Sequence, residues 1–313
     1  MDKLLEACDH KHGTSNQKII ILGAGGFIGR NLAERLIRDG HSPVLVSPEP
    51  ILNLPSEAHQ ILARVTDLEI LNWIVEPGSI IYYLINDIAL SNSACQPSDF
   101  VPTNLTLFVR FLEWVKRIGG AHVVCPSLGG TIYGESEVQP TPETVMPDPR
   151  SFYGLMKWTA EKYLQMFASQ KSLTYTIARI SNPYGPGQVI KYGQGLVPEV
   201  IARIRTGKPV NIIGNGAAVR DYIHISDVCA CLALCGFDGR LRNQILNVGT
   251  GVEFSVLDVV REIEALMNKS AILEYVPRRL GEIQSSVLDI RLAKQLVGWQ
   301  PELNFQDGLK TLF

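Results

Sequence analysis

The chain has 313 residues, of which 46% are hydrophobic and 19% are charged, which provides a sizeable core and excludes a disordered or acidic-tail protein. The 29 Lys and Arg residues nearly balance the 31 Asp and Glu residues, giving a net charge of −2. A nucleic-acid-binding protein usually carries a basic excess or stripe, and this sequence has neither. No apolar stretch approaches the roughly 18 residues of a membrane span, and the first residues lack a signal peptide's hydrophobic segment. We therefore expect a cytoplasmic protein that binds neither nucleic acid nor membrane.

The six cysteines are too few for a disulfide framework in a chain of this length. Cys229, Cys231 and Cys235 are close together, but their surroundings are apolar, and cysteine behaves there as a small hydrophobic residue. We expect these three residues on a buried helix. The six histidines show no metal-ligand spacing, so the sequence predicts no metal site.

Residues 1–17 are polar and aperiodic, and we expect a flexible tail there. Short apolar runs then alternate with stretches of helical periodicity, which is the pattern of βαβ units in a parallel sheet. The predicted strands are 18–22, 43–47, 79–84, 121–125 and 174–180, and the predicted helices are 27–39, 101–118 and 152–170. The fold class is therefore α/β with a doubly wound parallel sheet.

A glycine-rich loop joins the first predicted strand to the first predicted helix. Gly23, Gly26 and Gly29 have the spacing of a dinucleotide-binding fingerprint, in the strand–turn–helix context that the fingerprint requires. Such glycines allow the tight turn and the approach of a pyrophosphate, and the helix amino terminus offers free N–H groups to the phosphates. The predicted dinucleotide contacts in this loop are Gly23, Gly25, Gly26, Phe27, Ile28 and Gly29.

This motif makes residues 18–182 a candidate Rossmann-type dinucleotide-binding domain. Pro and Gly become dense from 183 to 216, and the strand–helix alternation stops there. We expect residues 183–313 to form mainly a smaller, substrate-binding lobe. Residues 220–251 again show a strand–helix–strand pattern, so we expect this segment to complete the first domain.

The choice between NAD and NADP depends on the end of the second strand. An NAD site usually has an acidic residue there to bind the ribose hydroxyls, whereas an arginine nearby accommodates the 2′-phosphate of NADP. Ser47 occupies this place, Glu49 is the nearest acid, and no Arg or Lys is close by. Because a 2′-phosphate would have no charged partner, we expect NAD as the cofactor.

Tyr153 and Lys157 lie four residues apart at the start of a predicted helix, and this spacing places them on one helical face. A phenol with a pKa near 10 is a poor base at neutral pH, but a neighbouring ammonium group favours its anion. A tyrosinate beside a nicotinamide can take a hydroxyl proton while the ring takes the hydride. We therefore interpret the pair as catalytic.

With this pair the sequence resembles the extended short-chain dehydrogenase/reductase family, and within it the nucleotide-sugar epimerases and dehydratases. The resemblance runs from about Lys18 to the end of the chain. Its motifs are GAGGFIG (23–29), Asp67-Leu68, Asn104-Leu105, GGTIYG (129–134), YGLMK (153–157), SNPYGPGQ (181–188), RDYIH (220–224), NVGTG (247–251) and RRLGE (278–282).

The resemblance implies roles for further residues. Asp67 and Leu68 are expected to contact the adenine, Asn104 to lie near the cofactor ribose, and Leu84 to belong to the cofactor site. An arginine suits a diphosphate because its planar fork binds phosphate oxygens in pairs. The residues expected to bind the nucleotide-sugar substrate are Asn182, Leu196, Arg220, Arg279, Glu282 and Ser286.

One position departs from the family pattern. The family usually has a Ser or Thr four residues before the Tyr-Gly of the GGTIYG motif, bonded to the reacting sugar hydroxyl, and here that residue is Gly129. Ser127 and Thr131 lie two residues to either side. In an extended strand end, alternate residues point to the same side. We expect Thr131 to supply the hydroxyl, with Ser127 as the alternative.

By resemblance, the expected activity is epimerisation at C4 of a UDP-sugar through a transient 4-keto intermediate. A 4-ketoreductase remains open, and so does a non-catalytic nucleotide-binding protein, since fold does not imply activity. A dehydratase is disfavoured, because the family's Asp-Glu pair is replaced by Gly130 and Thr131. Relatives suggest a homodimer built from helices of the first domain. The small residue Ser286, or Ser285 if the register slips by one, leaves room for an N-acetylated sugar.

Overall fold

The structure, a computed structural model, describes residues 17–52, 58–64, 68–86, 97–190, 195–278 and 283–313, and it leaves out the side chains of Leu68, Asp99 and Phe100. The tail predicted at 1–17 lies outside the described residues except for Gln17. Within the described ranges, no helix is long and apolar enough to cross a membrane.

The elements alternate between strand and helix through most of the chain. The strands are β1 Ile19–Leu22, β2 Val44–Ser47, β3 His59–Leu62, β4 Ile80–Tyr83, β5 Ala121–Leu128, β6 Leu173–Ile180, β7 Asn182–Tyr184, β8 Val210–Ile213, β9 Val219–His224, β10 Gln244–Val248, β11 Glu253–Ser255, β12 Leu273–Val276 and β13 Ser285–Ser286. The α-helices are α1 Phe27–Arg38, α2 Leu71–Ile74, α3 Pro97–Phe100, α4 Leu107–Ile118, α5 Gly129–Ile132, α6 Phe152–Ser169, α7 Leu196–Thr206, α8 Ile225–Phe237, α9 Val256–Met267, α10 Arg291–Val297 and α11 Phe305–Lys310.

Seven parallel strands form the main sheet in the order β10-β6-β5-β4-β1-β2-β3. The strand order reverses between β1 and β4, and ligands of doubly wound sheets bind beyond the carboxyl ends of the strands at such a point. Helices α1 and α8 pack on one face, and α4 and α6 pack on the other. This arrangement confirms the predicted fold class.

The predicted strands and helices of the first half are found within a few residues of the expected bounds. The prediction missed β3, because its sequence, His-Gln-Ile-Leu, is half polar and offers no apolar run. It also treated 101–118 as one helix, whereas Val101–Thr106 forms a π-helical segment that leads into α4. Strand β5 continues to Leu128, three residues past its predicted end.

The later strands build a second, smaller layer. Strands β11, β9, β13 and β7 form a four-stranded sheet, and β8 pairs with β12. Helices α7 and α9 pack there around an apolar cluster that includes Tyr184 and Phe305. Residues 183–313 are thus divided between the two layers. Strand β10 belongs to the seven-stranded sheet, and α8 packs on that sheet.

The three neighbouring cysteines lie on α8 and are buried in the core under the main sheet. Burial raises the pKa of the Cys229 thiol to about 12. The prediction of a buried apolar helix is therefore confirmed. Among the described residues, no group of His, Cys, Asp and Glu side chains is placed to hold a metal ion.

The carboxylate of Asp221, on β9, is fully buried and connects the two layers. Its Oδ1 accepts hydrogen bonds from the backbone N–H and the hydroxyl of Thr250, 2.9 and 2.8 Å away. Its Oδ2 accepts from the N–H of Gly251 at 3.1 Å and of Leu288 at 3.3 Å. Burial raises the pKa of Asp221, and these N–H donors oppose that shift.

We expect Asp221→Asn to lower the free energy of unfolding by about 2–4 kcal/mol, because an amide nitrogen would face backbone N–H groups that it cannot accept from. Chemical denaturation measures the change. Asp39→Asn is the control, since Asp39 forms an exposed ion pair with Arg35, and such pairs contribute about 0–1 kcal/mol. A loss for Asp221→Asn no larger than that of the control would contradict the assignment.

Candidate active site

The glycine loop passes directly over the end of β4. Gly23 has φ of +87°, and a Cβ atom there would lie 3.0 Å from the carbonyl carbon and oxygen of Leu84. A Cβ at Gly29 would lie 2.8 Å from the Cα of Ala24. Both positions therefore require glycine, for the turn at Gly23 and for the approach of α1 to the loop at Gly29.

The loop fits the pyrophosphate of a dinucleotide. Gly26 is the N-cap of α1 and has no side chain to cap it, so the first N–H groups of this helix are directed at the space over the loop. Among the described residues other than its chain neighbours, a Cβ at Gly26 would come within 4 Å only of the carbonyl oxygen of Gly23, 3.4 Å away. Phe27 and Ile28 pack against the core beneath and anchor the first turn.

The end of β2 lies beside the glycine loop. Ser47 is buried as the last residue of β2, and its hydroxyl donates to the carbonyl of Glu49 at 2.6 Å. In the adjacent glycine loop, Nε of Arg30 donates to the carbonyl of Gly25 at 3.1 Å. A Cβ at Gly25 would in turn lie 3.3 Å from the Cβ of Ser47. Arg30 thus comes from α1 and is bonded to the glycine loop.

Tyr153 and Lys157 lie in the first two turns of α6, whose start is capped by Ser151 accepting from the N–H of Gly154 at 3.1 Å. The Tyr153 side chain is only 6% exposed. Nζ of Lys157 donates to the carbonyl of Pro126, on β5, at 3.5 Å. The helix thus presents both side chains toward the carboxyl ends of the central strands.

Sequence analysis missed the residue that contacts Tyr153. Nδ2 of Asn86 donates to the hydroxyl oxygen of Tyr153 at 2.7 Å. Asn86 comes three residues after β4, and Leu84 before it is tied to β1 by its N–H, which donates to the carbonyl of Leu22 at 2.8 Å. A polar residue just after a buried strand at the switch point was the available signal.

The geometry around Gly129 corrects the argument from strand alternation. Strand β5 ends at Leu128 and α5 begins at Gly129, so Gly129 and Thr131 do not continue the alternating pattern that Ser127 follows. A Cβ at Gly129 would lie 3.0 Å from Cδ2 of Leu288, and closer still to its Cδ1. Leu288 therefore fills the space of the family's hydroxyl residue.

The two candidate hydroxyls have different surroundings. Ser127 is 3% exposed, and its hydroxyl has no hydrogen-bond partner among the residues described. Thr131 is half-buried, and its methyl group would lie 3.0 Å from a Cβ at Gly154, the residue after Tyr153. Thr131 thus lies against the start of α6, next to the proposed base.

Three of the predicted substrate residues come together beside β9. Nδ2 of Asn182 donates to the carbonyl of Asp221 at 3.0 Å. A Cβ at Gly130 would lie 3.3 Å from the hydroxyl of Ser286 and 3.9 Å from Nδ2 of Asn182. Ser286 pairs with Arg220 across β13 and β9. The guanidinium of Arg220 is held in place by two bonds of 2.8 Å, to the carbonyls of Val219 and Ile283.

The remaining predicted residues are spread more widely. Asn104 is buried on the π-helical segment whose Val101 and Leu105 pack against Tyr153. Leu196 begins α7 and packs against the apolar cluster of the second layer. Asp67, Arg279, Glu282 and the side chain of Leu68 lie outside the described residues.

Comparison with known proteins adds an independent finding. The model of the NAD dependent epimerase/dehydratase family matches residues 19–249. This span begins at β1 and ends just after β10, so it covers the whole seven-stranded sheet and the glycine loop. The loop that fits a dinucleotide therefore belongs to a family that depends on NAD.

Full-length relatives agree. The UDP-glucose 4-epimerase of Mycolicibacterium smegmatis is 30% identical over 301 residues, covering 93% of this chain and 96% of the relative. The UDP-glucose 4-epimerase of Thermotoga maritima, solved with UDP-glucose, superposes with a TM-score of 0.86 at 32% identity, covering 94% of this chain and 97% of that one. MoeE5, solved with UDP-glucuronic acid and NAD, has a TM-score of 0.85 at 28% identity, with 94% and 97% covered. The chain belongs to the NAD-dependent epimerase/dehydratase family.

Proposed function

We propose that this enzyme epimerises C4 of a UDP-sugar through a transient 4-keto sugar. The observation that carries the proposal is the placement of Tyr153 and Lys157 on one face of α6, at the carboxyl edge of the sheet where the strand order reverses. The names of the relatives support UDP-sugars as the substrate class.

The glycine loop and the first turn of α1 would hold the pyrophosphate of NAD, and bound NAD would accept a hydride from the sugar and return it. Tyr153 takes the proton of the 4-hydroxyl and later returns a proton to the same oxygen. The positive charge of Lys157 favours the ionised phenol. Rotation of the ketone in the pocket between the two transfers inverts C4.

Asn182 and Arg220 are the described residues that we assign to the substrate diphosphate. Two backbone carbonyls fix the plane of the Arg220 guanidinium, so little side-chain freedom is lost when it binds phosphate. Leu196, Arg279 and Glu282 are assigned to the substrate by resemblance alone. The Ser286 hydroxyl and Gly130 face each other beside Asn182, which we propose as the wall of the sugar pocket.

A dehydratase is the weaker candidate, because it needs an acid and a base beside the sugar. Gly130 and Thr131 provide neither. Glu135 is the next carboxylate along the chain, and it accepts the N–H groups of Gln284 and Ser285 at 2.8 and 3.3 Å. Its carboxylate therefore already has a structural partner.

A homodimer through α4 and α6 is part of the proposal. Helix α6 exposes Leu155, Tyr163 and Met166, which recur at helical spacing on one face. A groove between α4 and α6 is lined by Arg110, Glu113, Lys116, Arg117, Phe167 and Gln170. An apolar stripe with a charged border is typical of an interface between subunits.

The activity is tested with UDP-glucose, UDP-galactose and their N-acetylated forms, without added cofactor, by NMR. We expect interconversion by the parent protein and a loss of about 100-fold or more in Tyr153→Phe, since general-base catalysis contributes about that much. The variant should still fold and bind NAD, because one hydroxyl is removed. Tyr275→Phe, an exposed tyrosine on β12, is the control.

Near-normal turnover in Tyr153→Phe would refute the assignment of the base. In a parallel assay with NAD added, release of a 4-keto sugar with one NADH formed per ketone would instead identify a ketoreductase working in the oxidative direction.

The choice between the two hydroxyls is tested by Thr131→Val and Ser127→Ala. We expect Thr131→Val to lower the rate about tenfold, which is the effect of one lost hydrogen bond to the reacting oxygen. Valine is chosen because it keeps the methyl group that packs at Gly154. Ser127→Ala should change the rate little, since Thr131 is the hydroxyl residue that packs at Gly154 beside Tyr153. A larger loss in Ser127→Ala would reverse the assignment.

Substrate size is tested by Ser286→Tyr. We expect the rate on N-acetylated sugars to fall about tenfold or more relative to the plain hexoses, because the ring would enter the space beside Gly130 and Asn182. Ser285→Tyr is the matched control, since neighbouring residues of β13 point to opposite faces. An unchanged N-acetylated rate in Ser286→Tyr, or a parent protein that never accepts those sugars, contradicts this view of the pocket.

A further inference from the structure

The hydroxyl oxygen of Tyr153 has a hydrogen-bond donor from outside its own helix. Nδ2 of Asn86 lies 2.7 Å away, a normal length for a strong bond. The ammonium group of Lys157 is directed in this structure at the carbonyl of Pro126, 3.5 Å away. The direct donor to the phenol oxygen is thus the Asn86 amide.

The surroundings of Tyr153 make such a donor important. The ring packs with Met156 and against Leu105 and Leu128, all apolar, and is 6% exposed. An apolar environment disfavours a phenolate, whereas a hydrogen bond donated to its oxygen favours the charged form. An amide N–H donates at every pH at which the enzyme is folded, because it does not titrate.

The backbone next to Asn86 is also fixed by the cofactor loop. Leu84 is held against β1 by a bond of 2.8 Å, and its carbonyl lies against the glycine turn at Gly23. The Asn86 side chain is exposed, and its amide extends from this fixed backbone to the Tyr153 oxygen. The amide therefore connects the cofactor turn to the proposed base.

We propose that Asn86 is a positioning residue that donates to the Tyr153 oxygen, holds its direction and favours its ionised form. The inference deepens the proposed function and rests on it only in taking Tyr153 as the base. Asn86 acts through Tyr153, and no contact of Asn86 with the sugar is needed.

The test is the pH at which the Tyr153 phenolate forms, followed by ultraviolet absorbance in the NAD-saturated protein. The Tyr153→Phe titration is subtracted to isolate this one residue. The subtraction removes the tyrosines that ionise in the same range, and five others ionise only at higher pH. Burial raises the pKa of Tyr133 and of Tyr222 to about 12. Burial likewise raises the pKa of Tyr82, Tyr83 and Tyr184 well above the usual value.

We expect the phenolate midpoint to move up by about one pH unit in Asn86→Ala, the effect of losing one hydrogen bond to a charged group. Asn86→Asp should move it further, since a carboxylate repels the phenolate. The control Asn211→Ala, an exposed residue on β8, should leave it unchanged. In turnover, Asn86→Ala should lower kcat about tenfold at neutral pH with KM little changed, and its acidic limb should shift by the same amount.

An unchanged or lowered midpoint in a folded Asn86→Ala protein would overturn the inference, because the amide would then accept from the phenol or not touch it. Asn86→Ser, which is smaller and still polar, repeats the measurement if Asn86→Ala does not fold. The titration needs no sugar. A shifted midpoint in a protein that interconverts no UDP-sugar would thus leave this inference intact and refute only the proposed function.

Discussion

The relation between the two layers of this protein depends on one buried carboxylate. Asp221 lies on β9 at the heart of the second layer, and it binds Thr250 and Gly251, which follow the edge strand β10 of the main sheet. A Cβ atom at Gly249 would lie 3.1 Å from the carboxylate carbon of Asp221, which leaves no room for a side chain. This turn therefore needs glycine. A buried charge is stable only when donors surround it, and three backbone N–H groups aim at this one.

The consequence extends to the substrate side. The third N–H donor is that of Leu288, two residues after Ser286. The backbone carbonyl of Asp221 accepts a hydrogen bond from the amide of Asn182. The same residue therefore sets the positions of a diphosphate-binding candidate and of a sugar-pocket candidate relative to the cofactor sheet. Leu288 also fills the space beside Gly129. Gly129, which replaces the family's hydroxyl residue, and Leu288 therefore depend on each other, because the leucine side chain occupies the space that a side chain at 129 would need.

Patterns within a few residues of sequence were enough to predict the central strands and the glycine loop. Apolar runs marked β1, β2 and β4, and glycine spacing marked the loop, because burial and backbone freedom act within a few residues. The contact of Asn86 with Tyr153 joins residues 67 apart, and no periodicity reports it. The side chain of Arg30 extends back over the first turn of α1 to Gly25. The helical turn that begins at Gly129 ends the strand alternation that sequence analysis had extended to Thr131. These features depend on the folded backbone and not on a repeating pattern along the sequence.

The electrostatics of α6 complete the argument for Tyr153 as a base. Glu161 lies one helical turn after Lys157, and a free carboxylate there would draw the ammonium group away from the phenol. Both oxygens of Glu161 are instead taken by the guanidinium of buried Arg179, at 2.6 to 3.2 Å. Burial opposes the charge on Arg179, but the bonds and charge of Glu161 raise its pKa above the usual value. The positive charge of Lys157 is therefore left uncompensated by its own helix. In the proposed mechanism this charge and the Asn86 amide would both stabilise a phenolate at Tyr153.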